Sequence, residues 1–187
     1  MKRDAILTWA AIAVLGLVSA GLGWWLGQRV MLPPEQPPPA GLVVVAPGQA
    51  LPPMRLPYLS GDGERRLDGP GRPRLINYWA SWCGPCRKEM PILDAFAAEQ
   101  GGNGIQVVGV ALDTPDEARA FLREVPVSFE TLIETPGPRD SSVVLGNRRN
   151  ILPFTALVDA EGRLVRTKYG EFPSLEALND WVRDPAE

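Results

Sequence analysis

Cys83 and Cys86 are the only cysteines in this chain of 187 residues, and Gly84 and Pro85 are all that separates them. Two thiols at that spacing can close and reopen a disulfide. The segment before them, Arg74-Leu75-Ile76-Asn77-Tyr78-Trp79-Ala80, is short and apolar and predicts a buried strand. The segment after them, Arg87 to Gln100, predicts a helix. The pair therefore falls at a strand-to-helix turn with Cys83 at the helix N-terminus. Unpaired N–H groups and the helix dipole favour negative charge there. A thiol so placed has a lowered pKa, and the thiolate is the nucleophile. Cys86, about one turn further on, can attack a mixed disulfide formed at Cys83 and release the partner.

Two other chemistries compete for such a pair. A structural zinc site takes about four N or S ligands, and a chain with two cysteines and no histidine cannot supply them alone. A purely structural disulfide would close a very short loop and stabilise little. The absence of histidine also excludes Ser-His-Asp and Cys-His catalysis within the chain. No cofactor is expected. The net charge of −3 points to no nucleic-acid partner.

The flanking elements read as an α/β order. Met54 to Leu67 predicts a β-hairpin with its turn at Ser60-Gly61-Asp62-Gly63. Strand 74–80 and the cysteine turn follow. The helix after them carries Met90, Leu93, Phe96 and Ala97 on one face, contains Pro91, which should kink it, and stops at Gly101-Gly102. Ile105 to Leu112 predicts a second buried strand. Thr114, Pro115 and Glu117 form the start of a helix with a capping box, and Ala118, Phe121, Leu122 and Val125 form its apolar stripe. Val127 to Ile133 predicts a strand, and Ser141 to Leu145 a short helix. Leu152 to Asp159 predicts a strand opened by Pro153, which excludes that residue from a mid-ladder position. A turn at Ala160-Glu161-Gly162 leads to a strand over 163–168, and Ser174 caps a last helix with Leu175, Leu178, Trp181 and Val182 on its apolar face. Strands alternating with helices imply a parallel sheet covered on both faces, with the late hairpin adding antiparallel strands.

The N-terminus has a different character. Residues 1–4 are short and basic, and no charge occurs from Ala5 to Gln28, a run long enough to span a membrane. Trp24 and Trp25 sit near its far end, as interfacial aromatics do. Val18-Ser19-Ala20 also offers the small-residue pattern of a cleaved signal peptide, but the apolar run continues past it and favours an anchor. Lys2 and Arg3 keep residues 1–4 in the cytoplasm. Either reading exports the remainder, to the periplasmic side in a bacterium. Residues 29–53 are proline-rich and read as a stiff spacer, interrupted by a short edge strand over Leu42-Val43-Val44-Val45. The exported domain is expected over 54–187. The first 30 residues carry a net +2, which leaves −5 for the rest.

Tyr78-Trp79-Ala80-Ser81-Trp82-Cys83-Gly84-Pro85-Cys86, with Pro91 and the distant Leu152-Pro153-Phe154-Thr155, resembles the thioredoxin superfamily. The anchor, the 54–67 hairpin and a helix-plus-strand segment over about 114–133 narrow the resemblance to the membrane-tethered TlpA/ResA-type thiol–disulfide oxidoreductases. It implies a thioredoxin-like fold with a central mixed sheet flanked by helices, an N-terminal β-hairpin and a central helix–strand insertion. It implies that Cys83 attacks and Cys86 resolves, with Gly84 and Pro85 between them. Pro153 would be a cis-proline beside the disulfide, and Leu152 would offer backbone hydrogen bonds to an extended substrate. Trp82 would be a shielding aromatic over the disulfide. Glu89, three residues after Cys86, would sit near it and tune the thiols or shuttle protons. Asn77 stands where thioredoxin has a buried acid, which departs from thioredoxin and agrees with the ResA-like group.

Gly84-Pro85 matches reducing thioredoxin, which sits at about −270 mV, against about −120 mV for the strong oxidant DsbA. The implied activity is reduction of disulfides in exported proteins, apocytochrome c haem-attachment cysteines among them, with an integral-membrane electron donor of the DsbD/CcdA kind. A thiol oxidase or isomerase, and a non-catalytic binding module for an assembly partner, are the alternatives. A peroxidase is disfavoured because Ala80 stands where peroxiredoxins carry Thr.

Overall fold

The computed structural model describes residues 14–19, 21 and 33–184, and the chain divides into two units, 1–36 and 37–187. Residues 14–19 are helical. Among the described residues no helix is long and apolar enough to cross a membrane. The span expected over 5–28 lies mostly outside them.

The second unit contains β1 (Arg55–Pro57), β2 (Glu64–Arg66), β3 (Arg74–Trp79), α1 (Gly84–Gln100), β4 (Gln106–Leu112) and α2 (Pro115–Glu124). There follow β5 (Glu130–Glu134), α3 (Ser141–Val144), β6 (Phe154–Val158), β7 (Leu164–Tyr169) and α4 (Leu175–Arg183). β1 and β2 form the expected antiparallel hairpin. The other strands form one mixed sheet of order β5-β4-β3-β6-β7. β3, β4 and β5 are parallel, as crossover helices require, and β6 and β7 run antiparallel. This is a thioredoxin-like architecture with the hairpin and the α2–β5 insertion in their expected places.

β3 is buried along its whole length, and its alternation divides the core. Leu75 and Trp79 face one cluster with Met90, Leu93 and Phe96 of α1, Ala118 and Phe121 of α2, and Leu178 of α4. Ile76 and Tyr78 face the other, with Leu56 of the hairpin, Leu67, Phe154 and Leu164. The long helices therefore share one face. The second is closed by the hairpin, the chain before it, and the end of the short α3. The hairpin also covers the sheet edge, because Tyr58 bridges Leu132 and Leu59 N–H donates to the Thr131 carbonyl at 3.0 Å.

Three local expectations change. Residues 42–45 form no strand. Val45 and Leu51 are instead buried, and Val45 N–H donates to Val144 (2.8 Å) and Leu51 N–H to Gly162 (3.0 Å), so the end of the expected spacer is docked on the domain. The strand expected from Val127 begins at Glu130, because Ser128 leaves the ladder and gives its N–H and hydroxyl to Asp94 of α1 at 2.6 and 2.7 Å. The capping box of α2 is shared. Thr114 Oγ1 accepts from Glu117 N–H at 3.4 Å, but the Thr114 N–H goes to Asp113 at 2.9 Å rather than to Glu117.

The β6–β7 turn imposes a steric constraint. Gly162 has φ +81°, and a Cβ there would lie 2.6 Å from the Gly69 carbonyl oxygen. Gly162→Ala combines a left-handed backbone with a backbone clash, and should lower stability by about 2 kcal/mol. Gly102→Ala, where an added methyl meets nothing within 4 Å, should leave the urea midpoint nearly unchanged. Paired urea melts read both.

Candidate active site

Cys83 and Cys86 are joined by a disulfide at the start of α1. Cys83 is the N-cap residue in extended conformation, and its Sγ receives the Cys86 N–H at 3.2 Å. Gly84 opens the helix and Pro85 sits in the first turn, where a missing N–H is harmless. Both are exposed, and a Cβ at Gly84 would meet nothing within 4 Å, so Gly84 is not required by packing. The sulfurs are sheltered: Cys83 is 4 % exposed and Cys86 1 %. α1 runs unbroken through Pro91 to Gln100.

Below the disulfide lies a polar row in an otherwise apolar layer. Strand register sets Asn77 of β3 opposite Thr155 of β6, and Thr155 opposite Lys168 of β7. Glu89 of α1 comes down onto this row, 1 % exposed. Its Oε2 accepts from Asn77 Nδ2 at 2.9 Å, and its Oε1 from the Phe172 N–H at 2.9 Å. Asn77 Nδ2 also donates to Thr155 Oγ1 at 3.0 Å. Lys168 Nζ donates to the carbonyls of Gly170 and Glu171, both at 2.8 Å, and lies 4.5 Å from the Phe172 ring centre. It thereby holds the turn that presents the Phe172 N–H. Burial pushes the Glu89 carboxyl up to about 7, with Phe172, Asn77 and the Lys168 charge acting against it and Glu171 adding to it. Burial likewise lowers Lys168, against the pull of Glu89 and Glu171. Glu89 is thus a buried group rather than a solvated helix glutamate. Thr155, Lys168 and Phe172 were not legible as the surroundings of Glu89, because strand register and the turn after β7 bring them there.

The rim is built from other loops. Leu152–Pro153 is a cis peptide immediately before β6, and the Pro153 carbonyl accepts from Gly170 N–H at 2.8 Å. Leu152 is half-buried. Trp82 is 71 % exposed. It is neither core packing nor buried, and with Leu152 and Leu112 it lines a groove of about 400 Å³ whose far wall is Pro136-Gly137-Pro138. Asp113 is a rim residue the sequence did not single out. Its Oδ2 accepts the Ser81 N–H at 2.7 Å and so ties the end of β4 to the turn before the cysteines. Burial opposes its charge, but the hydrogen bonds from Ser81 and the Thr114 N–H act against that, and the carboxyl lies below its ordinary value.

A profile of the Redoxin family matches residues 46–180. The chain belongs to the Redoxin family. This redoxin is 32 % identical over 139 residues to the thiol:disulfide interchange protein HelX of Rhodobacter capsulatus, covering 70 % of this chain and 72 % of HelX. It is 23 % identical over 184 residues to the thiol-disulfide oxidoreductase ResA of Bacillus cereus, covering 98 % of each. A solved structure of a DsbE-type thiol:disulfide interchange protein from Chlorobium tepidum superposes with a TM-score of 0.63 at 30 % identity, over 74 % of this chain and 96 % of that one. The redoxin is a TlpA/ResA-like member of the thioredoxin superfamily, and its disulfide at the head of α1 makes it a thiol–disulfide oxidoreductase.

The buried carboxyl predicts a pH-dependent stability. In the disulfide form, folded Glu89 keeps its proton up to about pH 7, whereas the unfolded carboxyl titrates near 4.5. Between those values the folded chain binds more protons than the unfolded one, so stability falls as pH rises, and the loss is complete above about 7. The 4.5-to-7 displacement corresponds to about 3 kcal/mol. Urea unfolding from pH 4.5 to 8 should show this decline in the wild type relative to Glu89→Gln, which keeps the shape and cannot ionise.

Proposed function

We propose that this redoxin is an extracytoplasmic, membrane-tethered protein-disulfide reductase. The observation that carries the reading is the Cys83–Cys86 pair at the N-terminus of α1 with a carboxyl of pKa about 7 one turn along the same helix. In the reduced protein the Cys86 N–H that now meets Cys83 Sγ, together with the helix dipole, favours a Cys83 thiolate. That thiolate attacks one sulfur of a substrate disulfide. The substrate S–S bond breaks, a Cys83–substrate disulfide forms, and the first substrate sulfur leaves as a thiolate. Cys86 then loses its proton and attacks Cys83 Sγ. The Cys83–Cys86 disulfide forms, the second substrate sulfur leaves, and the substrate has gained two electrons.

Glu89 is suited to take the Cys86 proton, because a base with a pKa near the working pH transfers protons efficiently in both directions. Leu152 and Pro153 supply the edge against which an extended substrate backbone lies. The alternation of the reaction requires a reductant, and an integral-membrane dithiol donor of the DsbD/CcdA kind fits a chain whose residues 5–28 are uncharged and mostly apolar. Oxidised exported proteins, apocytochrome c haem-attachment cysteines among them, are the proposed substrates. The similarity to HelX, named a thiol:disulfide interchange protein, and to ResA, named a thiol-disulfide oxidoreductase, together with Gly84-Pro85 between the cysteines, supports this reading.

The deciding quantity is the reduction potential of the Cys83–Cys86 couple, measured against glutathione and dithiothreitol buffers. A reductase should read about −250 mV or lower, and a value above about −150 mV would make the protein an oxidant of exported thiols instead. Catalysed reduction of insulin by dithiothreitol should be lost in Cys83→Ser, whereas a binding module would form complexes without turnover.

A further inference from the structure

The groove beside the disulfide has a polar floor whose function the cysteine chemistry leaves unassigned. Asn147 and Ser142 are each 1 % exposed, and Asp140 is 8 % exposed. Burying three such side chains is unfavourable unless each finds partners, and here they bond in series. Gly137 N–H donates to Asp140 Oδ2 at 3.0 Å. Ser142 Oγ donates to Asp140 Oδ1 at 2.7 Å. Asn147 Nδ2 donates to Ser142 Oγ at 3.2 Å, and Asn147 Oδ1 accepts the Ile151 N–H at 3.1 Å. The series begins in the Pro136-Gly137-Pro138 wall and ends one residue before Leu152. The chain it reaches is in a constrained conformation, for Asn150 has φ +50°. No regular ladder holds this stretch, since β6 begins only at Phe154.

We propose that Asn147 is a positioning residue for substrate: its side chain fixes the Leu152–Pro153 edge relative to the opposite wall of the groove, and so sets how well a polypeptide disulfide is held for attack by Cys83. Asn147 touches neither sulfur. Its contribution is therefore to polypeptide substrates, which lie along that edge, and not to the intrinsic reactivity of the thiol. This rests on the reading of the site as one that exchanges disulfides with polypeptides.

The test uses the full chain with Cys86→Ser, so that a single exchange is observed. Cys83 is reacted with a short extended peptide whose cysteine is joined to thionitrobenzoate, and separately with a small aryl disulfide that yields the same leaving group. In each case the Cys83 thiolate takes the place of thionitrobenzoate, whose release is read by absorbance. The Asn147→Ala change should lower the ratio of peptide rate to small-disulfide rate about tenfold, the effect of losing the buried hydrogen bonds that hold the edge. Ser142→Ala removes the acceptor of Asn147 Nδ2 and the donor to Asp140 Oδ1, leaves the Asn147 bond to the Ile151 N–H, and should lower the same ratio about threefold. An unchanged ratio in a folded Asn147→Ala protein overturns the proposal. Should that variant not fold, an unchanged ratio in Ser142→Ala overturns it equally. The assay makes no assumption about the direction of electron flow, so an oxidising potential would sink the reductase reading and leave this result standing.

Discussion

A carboxyl group buried between a helix and a sheet constrains everything around it, and in this protein that group is Glu89. Removing a carboxylate from water is costly unless donors replace the lost hydration. Two donors, the Asn77 amide on β3 and the Phe172 N–H after β7, replace it here, and the charge of Lys168 on β7 adds to them from a distance. They meet only if β3, β6 and β7 are in register and α1 lies across them at one height. The same arrangement places Cys83 and Cys86 above the row. Glu89 is thus paired well enough to be tolerated, yet remains protonated at pH values where an ordinary glutamate is ionised.

The second constraint acts at the C-terminal end of β4 and the chain around it. The cysteine turn, the loop after β5 and the loop before β6 meet there, and apart from the Pro153 carbonyl, which takes the Gly170 N–H, no strand pairing holds them. Side chains hold them instead. Asp113 takes the Ser81 N–H, Asp140 takes the Gly137 N–H and caps α3 through the Val143 N–H, and Asn147 takes the Ile151 N–H. Short polar residues are effective in this role because they bond locally to backbone groups that regular structure leaves unpaired. The result is a groove with an apolar lip at Trp82 and Leu152 over a satisfied polar floor.

Much of this could be read before any coordinate was known. Cys83-Gly84-Pro85-Cys86 between an apolar strand and an amphipathic helix is a local signal, and local signals survive folding. The T-x-x-E helix start at Thr114 and the Ser174 cap are of the same kind, and both caps form. The shortened β5 and the docked residues 45–51 were not readable in this way, because Ser128 and Val45 are committed to partners distant in sequence, Asp94 and Val144. Trp82 illustrates the same limit, since an aromatic beside two cysteines reads as a shield over them or as core, and the fold leaves it exposed at the lip of the groove.

The sequence by itself determined the reacting pair, the order of the elements and the uncharged N-terminal run, since each depends on residue type and short spacing. Only the tertiary structure decided the state of the site. Glu89 on α1 is an unremarkable helical glutamate until Asn77, Thr155 and Lys168, on three different strands, are brought to one row by register. Its burial and its raised pKa are properties of distances between remote residues. Such distances are set when the sheet closes against α1, and no window of sequence contains them.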